Sequence, residues 1–211
     1  GLEQFKSFKY NIPGDISSAS FFIVLTLLSK DSKIIIQNVN VNPTRIGIIN
    51  ILNKMGANIK LKNKKIYNGE EMADIYVKSK NKLKAINCPS KLNSSAIDEF
   101  LIIFLVAAKA KGVSKFKDLG EMNKKESKRL DLAIKFLKLI GIKVERYKND
   151  IKIYGKPNLI LSKNYQMKNF LKDHRIFFLS CITALTLGGK WRIHDKDSIN
   201  TSFPDFLKIL K

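Results

Sequence analysis

Three runs of apolar residues, FFIVLTLL (21–28), FLIIFLVAA (100–108) and IFFLSCITALTL (176–187), constrain this chain more than any other feature. Each is apolar on nearly every side of a helix, so each has to be enclosed all round rather than laid on a surface. None reaches the ~18 apolar residues of a membrane span. They read as central helices of a globular domain. Polar residues of helix-start type precede each one: GDISSAS (14–20), NSSAIDE (93–99) and LKDHR (171–175). Asp15, Asp98 and Asp173 are therefore expected to head three equivalent helices.

The first two runs lead into strand-like stretches, KIIIQNV (33–39) and VSKFKDL (113–119). A second, amphipathic helix follows each, over NPTRIGIINILNKMG (42–56) and KESKRLDLAIKFLKLIG (125–141), closed by Gly56 and Gly141 at left-handed cap positions. NIKLK, IYVKS, KVERY and DIKIYG then read as strands. After the third run come only KWRIHD and SFPDFLKIL. The unit is β-α-β-α-β-β, used about three times. The expected class is α/β: repeated βαβαββ units forming an inside-out α/β barrel with buried central helices and outer sheets, in one domain over residues 1–211. Three helix starts at one level would aim positive dipole ends at one region and attract small anions there.

Charge sharpens the search. With 39 Lys+Arg against 18 Asp+Glu the net charge is +21, which invites a nucleic-acid reading. The lysines are dispersed, however, with no like-charge blocks or aromatic platforms. Only Arg45, Arg129, Arg146, Arg175 and Arg192 are arginine. Lysine cannot copy the bidentate grip of guanidinium on carboxylate and phosphate, so the arginines carry the information. Arg129 follows Lys125 and Glu126, and Arg175 follows Asp173 and His174. Glu126 and Arg129 fall on one face of the expected helix, where the ordinary reading is an exposed i,i+3 pair. Asp98 alone reads as an N-cap, His174 as a packed or capping histidine, and Arg45 as structural. Arg146 and Arg192 read as surface or packing residues. Cys88 and Cys181 show no metal spacing and suit a reduced, cytoplasmic compartment. The opening GLEQFKSFKYNIPGD lacks the apolar core of a signal peptide.

Seven stretches, in order, carry a resemblance: PGDISSASFFIVLTLL, NPTRIGIINILNKMGANI, EEMADIYVKSKNKLKAI, IDEFLIIFLVAAKAKG, KKESKRLDLAIKFLKLIGIKV, DHRIFFL and TSFPDFLKIL. From about Pro13 to the C-terminus the chain resembles the C-terminal half of the 5-enolpyruvylshikimate-3-phosphate synthase family. The resemblance implies transfer of the carboxyvinyl group of phosphoenolpyruvate to the 5-hydroxyl of shikimate 3-phosphate, with no metal or organic cofactor. It implies Asp98 at the 5-hydroxyl as a candidate base and Glu126 near C3 of phosphoenolpyruvate as proton donor and acceptor. Arg129 and Arg175 match arginines that hold phosphoenolpyruvate. His174 lies beside that site, and Lys125 near the shikimate phosphate and hydroxyls.

The chain departs from the family pattern at Lys128, usually aspartate, at Phe177 and Phe178, usually smaller or more flexible, and at Thr201 and Ser202, where some members carry a lysine. The resemblance covers none of the family's N-terminal domain, which completes the cleft, so the expectation is a C-terminal half-enzyme, N-terminal domain absent, without turnover alone. KESKR and DHR favour the shikimate branch over the related transfer to UDP-N-acetylglucosamine. From another class, a basic nucleic-acid-binding module stays open; the expected partners are the two substrates and the missing domain, with neither nucleic acid nor membrane.

Overall fold

The computed structural model of the chain describes residues 7, 9–80 and 82–210. Residues 1–6 and 8 of the opening segment lie outside the described residues.

The three apolar runs form helices α1 (Ile16–Leu28), α4 (Phe100–Lys109) and α6 (His174–Leu187). Every side chain from Phe100 to Ala108 is buried, and all three helices pack on one another. They form the centre of a continuous apolar cluster. Among the described residues no helix is long and apolar enough to cross a membrane.

Each central helix is the crossover of a parallel β-α-β connection, the link that parallel strands require. Around α1, Gly14 bridges in parallel to Val39 of β1 (Lys33–Asn40). Around α4, Lys84 and Asn87 bridge to Lys111 and to Lys115 of β4 (Val113–Phe116). Around α6, β7 (Leu161–Met167) pairs in parallel with β8 (Gly188–Ile193). The first unit continues through α2 (Gly47–Lys54), β2 (Asn58–Tyr67) and β3 (Glu70–Lys78), giving an antiparallel sheet of order β1-β3-β2. The second continues through α5 (Arg129–Leu139), β5 (Val144–Tyr147) and β6 (Asp150–Tyr154) with the matching order β4-β6-β5. The third holds β7, α6, β8 and the short α7 (Phe206–Ile209), with no further strands among the described residues. The first two units thus share the order α-β-α-β-β around their central helices, with isolated parallel bridges in place of an opening strand, and the third is shorter. Within β3, Ile75 and Val77 face the helices, while Lys78 is exposed at its end.

Gly56 (φ +88°) and Gly141 (φ +77°) adopt the left-handed conformation expected of them. Ala57 N–H donates to Leu52 C=O at 3.0 Å and Ile142 N–H to Leu137 C=O at 2.9 Å, closing the last turns of α2 and α5.

Helix starts differ from expectation in three places, each time because a side chain or a polar cluster captures the backbone. The first is Asn42, whose Oδ1 accepts from Thr44 N–H at 3.0 Å and so turns NPTR into a loop ahead of α2. At the second, α5 begins at Arg129, leaving Lys125 and Glu126 in the preceding bend. Thus Glu126 and Arg129 do not share a helix face. Third, Asp98 heads no helix: it lies in a turn between α3 (Asn93–Ala96) and α4, and α4 starts after Glu99 without a side-chain cap. Asp15 and Asp173 do cap as expected, accepting from Ser17 and Ser18 N–H and from Arg175 N–H.

Gly47, the first residue of α2, sits so close to α3 that an added Cβ would stand 2.5–2.6 Å from Ser95 atoms, two of them backbone. This contact fixes the loop carrying Arg45 against the turn carrying Asp98. Gly47→Ala is expected to cost roughly 1–3 kcal/mol, the usual range for overpacking; an unchanged urea midpoint would show that the two helices have room to separate.

Candidate active site

The polar starts of the central helices meet at one place. Asp173, whose side chain is 0% exposed, caps α6 and at the same time receives Arg129 from the start of α5, whose side chain is 1% exposed. Arg129 Nε donates to Asp173 Oδ2 at 2.9 Å and Nη2 to Oδ1 at 3.5 Å. The same carboxylate accepts from Ser127 Oγ at 2.7 Å and from Arg175 N–H at 3.0 Å. A buried carboxylate is tolerable only when its lone pairs are filled, and here they are. Burial alone would raise the Asp173 pKa, but the hydrogen bond and charge of Arg129 outweigh it and hold the carboxyl below its ordinary 3.8.

Asp98 is the second focus. Lys125 Nζ lies 3.2 Å from Oδ1 and Arg129 Nη1 3.4 Å from it; Arg45 Nη1 and Arg175 Nη2 lie 3.8 and 3.9 Å from Oδ2. Four cations converge on one carboxylate. Burial again works against the charged form, yet Arg175, Lys125 and Arg129 together leave the Asp98 pKa lowered. Asp98 is thus an ionised acceptor whose neighbours exceed what one carboxylate needs. Arg175 also donates from Nη1 to the Asp98 carbonyl at 2.9 Å, while its buried Nε finds no hydrogen-bond partner among the described residues. Arg175 therefore has donor capacity to spare inside the cluster, unlike Arg129.

Glu126 pairs with Arg129 Nη2 and is 59% exposed, so it faces outward from the cluster. His174 is half-buried at the start of α6 with its ring edge-on to Phe178 at 5.8 Å between centroids. Burial, then the charge of Arg175, lowers its pKa from 6.5, leaving the imidazole neutral at pH 7. Phe178 belongs to an aromatic group with Phe21, Phe203 and Phe206; the bulk noted at this position packs α6 behind His174. Lys128 is exposed at the start of α5.

All six residues singled out in the sequence (Asp98, Lys125, Glu126, Arg129, His174 and Arg175) lie in or against this cluster. Four further participants were not singled out as site residues: Ser17, Glu99, Ser127 and Asp173. Arg45, read as structural, reaches Ser17 Oγ and Asp98. The signal available for them was position, since each lies at a helix start or in a loop leading to one. Among the described residues no group of three or more His, Cys, Asp or Glu is placed to hold a metal ion. A groove of about 510 Å³ lies elsewhere, lined mainly by apolar residues of α1, β1, Phe203 and Ile209.

A charge-balanced cluster, with one arginine donor, Arg175 Nε, uncommitted among the described residues, is set at the joined starts of the central helices, and the fold around it is that of the enolpyruvyl transferases. The enolpyruvyl transferase NikO from Streptomyces tendae matches with a TM-score of 0.63 over 91% of this chain and 41% of its own, at 12% identity, a likeness of fold alone. The chain belongs to the EPSP synthase (3-phosphoshikimate 1-carboxyvinyltransferase) family, whose model matches residues 1–210. A 3-phosphoshikimate 1-carboxyvinyltransferase of Ruthia magnifica is 39% identical, over 99% of this chain and 47% of that protein. One of Thermodesulfovibrio yellowstonii is 37% identical over 97% and 46%. One EPSP synthase structure from Acinetobacter baumannii matches with a TM-score of 0.87 and 34% identity, over 94% of this chain and 45% of that one. The chain spans about half the length of the relatives it matches.

The buried pair makes a stability prediction. A carboxyl with a lowered folded pKa contributes stability above its unfolded pKa and loses it as pH falls through the folded value. Asp173→Asn is expected to cost about 3–5 kcal/mol at pH 7, the range for stranding one member of a buried pair. In urea unfolding the gap to the parent should narrow below pH 4. A gap that is absent at pH 7, or constant with pH, would contradict this account of Asp173.

Proposed function

We propose that this chain is the C-terminal half of an enolpyruvyl transferase that moves the carboxyvinyl group of phosphoenolpyruvate to the 5-hydroxyl of shikimate 3-phosphate. The observation that carries this reading is the convergence of Arg45, Lys125, Arg129 and Arg175 on Asp98, in a chain of the EPSP synthase family. One domain over residues 1–211 would face a partner half across a cleft, with Asp98 and its cations on the cleft wall. Two buried free cysteines fit a reduced cytoplasm.

In the addition step the 5-hydroxyl oxygen bonds to C2 of phosphoenolpyruvate as its proton passes to Asp98, the second bond of the C2–C3 double bond breaks, and C3 takes a proton from Glu126. In the second step C3 returns a proton while the bond from C2 to the phosphate oxygen breaks. Asp98, held ionised by Arg175, Lys125 and Arg129, is suited to accept the hydroxyl hydrogen bond, to take that proton as the oxygen attacks C2, and to pass it on to the departing phosphate. Glu126 is anchored by Arg129 at the exposed edge, where a carboxyl can exchange a proton with C3. Arg175, with an unfilled Nε, is suited to the substrate carboxylate or phosphate, and Lys125 to the shikimate hydroxyls and phosphate. Neutral His174 adds a hydrogen-bonding group without adding charge. Catalysis by positioning two anions in a dry cleft needs both walls.

The chain alone is therefore expected to release no phosphate from phosphoenolpyruvate plus shikimate 3-phosphate, and to do so once joined to a family N-terminal half. In that joined protein Arg175→Lys, which keeps the charge but loses the fork, should raise the KM for phosphoenolpyruvate about tenfold, roughly 1.4 kcal/mol. Steady turnover by the isolated chain, or an unchanged KM in the variant, would overturn the assignment. Affinity for nucleic acid that falls steeply with salt, with no dependence on these arginines, would favour a binding module instead.

A further inference from the structure

One buried acid beside the cluster has no role in the scheme above. Glu99 is 2% exposed and sits between the starts of α1 and α4. Its Oε1 accepts from Ser17 Oγ at 2.5 Å and lies 3.9 Å from Arg175 Nη1. Ser17, 3% exposed, is itself the acceptor for Arg45 Nη2 at 3.1 Å. A hydroxyl has one proton to give. Because that proton goes to Glu99, the Ser17 lone pairs are left facing Arg45. The line Arg45 to Ser17 to Glu99 thus has a fixed polarity, and Glu99 attracts Arg175 at its other side. Two guanidinium groups that flank Asp98 are tied to a single buried carboxylate.

We propose that Glu99 and Ser17 are a positioning pair that holds Arg45 and Arg175 on opposite sides of Asp98, and that Arg45 thereby contributes to the grip on the anionic substrate. This rests on the enolpyruvyl-transferase reading for the identity of the anion, but the positioning itself does not. Without an anchor, Arg45, whose side chain is 47% exposed, would be a freely moving surface arginine. With it, the guanidinium is fixed within reach of the Asp98 carboxylate. Burial, opposed by Ser17 and Arg175, raises the Glu99 pKa from its ordinary 4.5, and the adjacent Asp98 carboxylate pushes the same way. Working at pH 8, well to the alkaline side of that ordinary value, favours the ionised carboxyl that sets the polarity of the line.

The test uses the 211-residue chain at pH 8, with nitrogen-15 NMR of the arginine side chains and calorimetric titration with phosphoenolpyruvate. Ser17→Ala changes no charge, so field effects alone predict unaltered affinity; the pairing predicts release of the Arg45 guanidinium and binding weakened about fivefold. Glu99→Gln removes a negative charge next to an anion site, which by Coulomb attraction alone would tighten binding. The pairing predicts the opposite sign, a loss of about fivefold with increased mobility of Arg45 and Arg175. Asp31→Asn in the exposed turn after α1, at the opposite end of that helix from Ser17, makes the same change in net charge and controls for it. Arginine signals unchanged in both variants, or tighter binding in Glu99→Gln, would overturn the proposal. Should the parent chain bind no phosphoenolpyruvate while the signals respond as expected, the positioning pair stands and the substrate reading for this domain falls. Circular dichroism and melting of each variant separate these effects from loss of fold.

Discussion

The buried pair of Arg129 and Asp173 is the interaction on which the rest of the site depends. Removing two charges from water costs several kcal/mol per ion, and mutual attraction offsets this only if the remaining donors and acceptors are filled. Here they are filled by residues that belong to different elements. Ser127 and the Arg175 backbone serve Asp173, while Asp98 and Glu126 serve Arg129. The pair therefore joins the start of α5 to the start of α6 and reaches the turn ahead of α4. Neither residue can move without stranding a buried charge, and this sets the geometry of the exposed members.

The three central helices make such an arrangement possible. Each is buried along most of its length, and hydroxyls within them such as Thr26, Ser180 and Thr183 donate to carbonyls of their own helix, so the charged groups lie at the ends, which the parallel crossovers on outer sheets bring together. Asp15 is spent on capping α1. Asp173 both caps and pairs, and Asp98 does no capping and is free to collect cations. Equivalent positions in the repeated units have thus taken different tasks. The cluster is close to neutral as a whole, with cations concentrated on Asp98 and acids at its margins. An arriving anion would compete with Asp98 for donors, and Arg175 has one donor not yet committed.

Much of this was legible in the sequence because it follows from pattern. Apolar runs without a polar face located α1, α4 and α6, and the glycines at 56 and 141 marked real helix ends. The scarcity of arginine pointed to Arg129 and Arg175. Three things were not legible. β7 reads LSKNYQM, a polar stretch with only its ends, Leu161 and Met167, buried, so it carries no alternation to detect. Helix starts were placed too early in α2 and α5, since Asn42 and the Ser127 region use backbone and side-chain hydrogen bonds to hold loops open. The partners of the arginines were missed for a related reason. Glu99 and Asp173 sit beside residues with stronger motifs, and only tertiary contact shows that Ser17 meets Glu99 across 82 residues of chain.

The most direct measurement of the central claim is a double-mutant cycle on the buried pair, with Arg129→Met, Asp173→Leu and the double variant compared by urea unfolding at pH 7. Each single variant leaves one buried charge unmatched, whereas the double variant removes both. The account predicts a double variant markedly more stable than the sum of the singles implies, with a coupling of about 2 kcal/mol or more. Additivity to within about 0.5 kcal/mol would mean that the two residues do not depend on each other, and the site would have to be held together by something else.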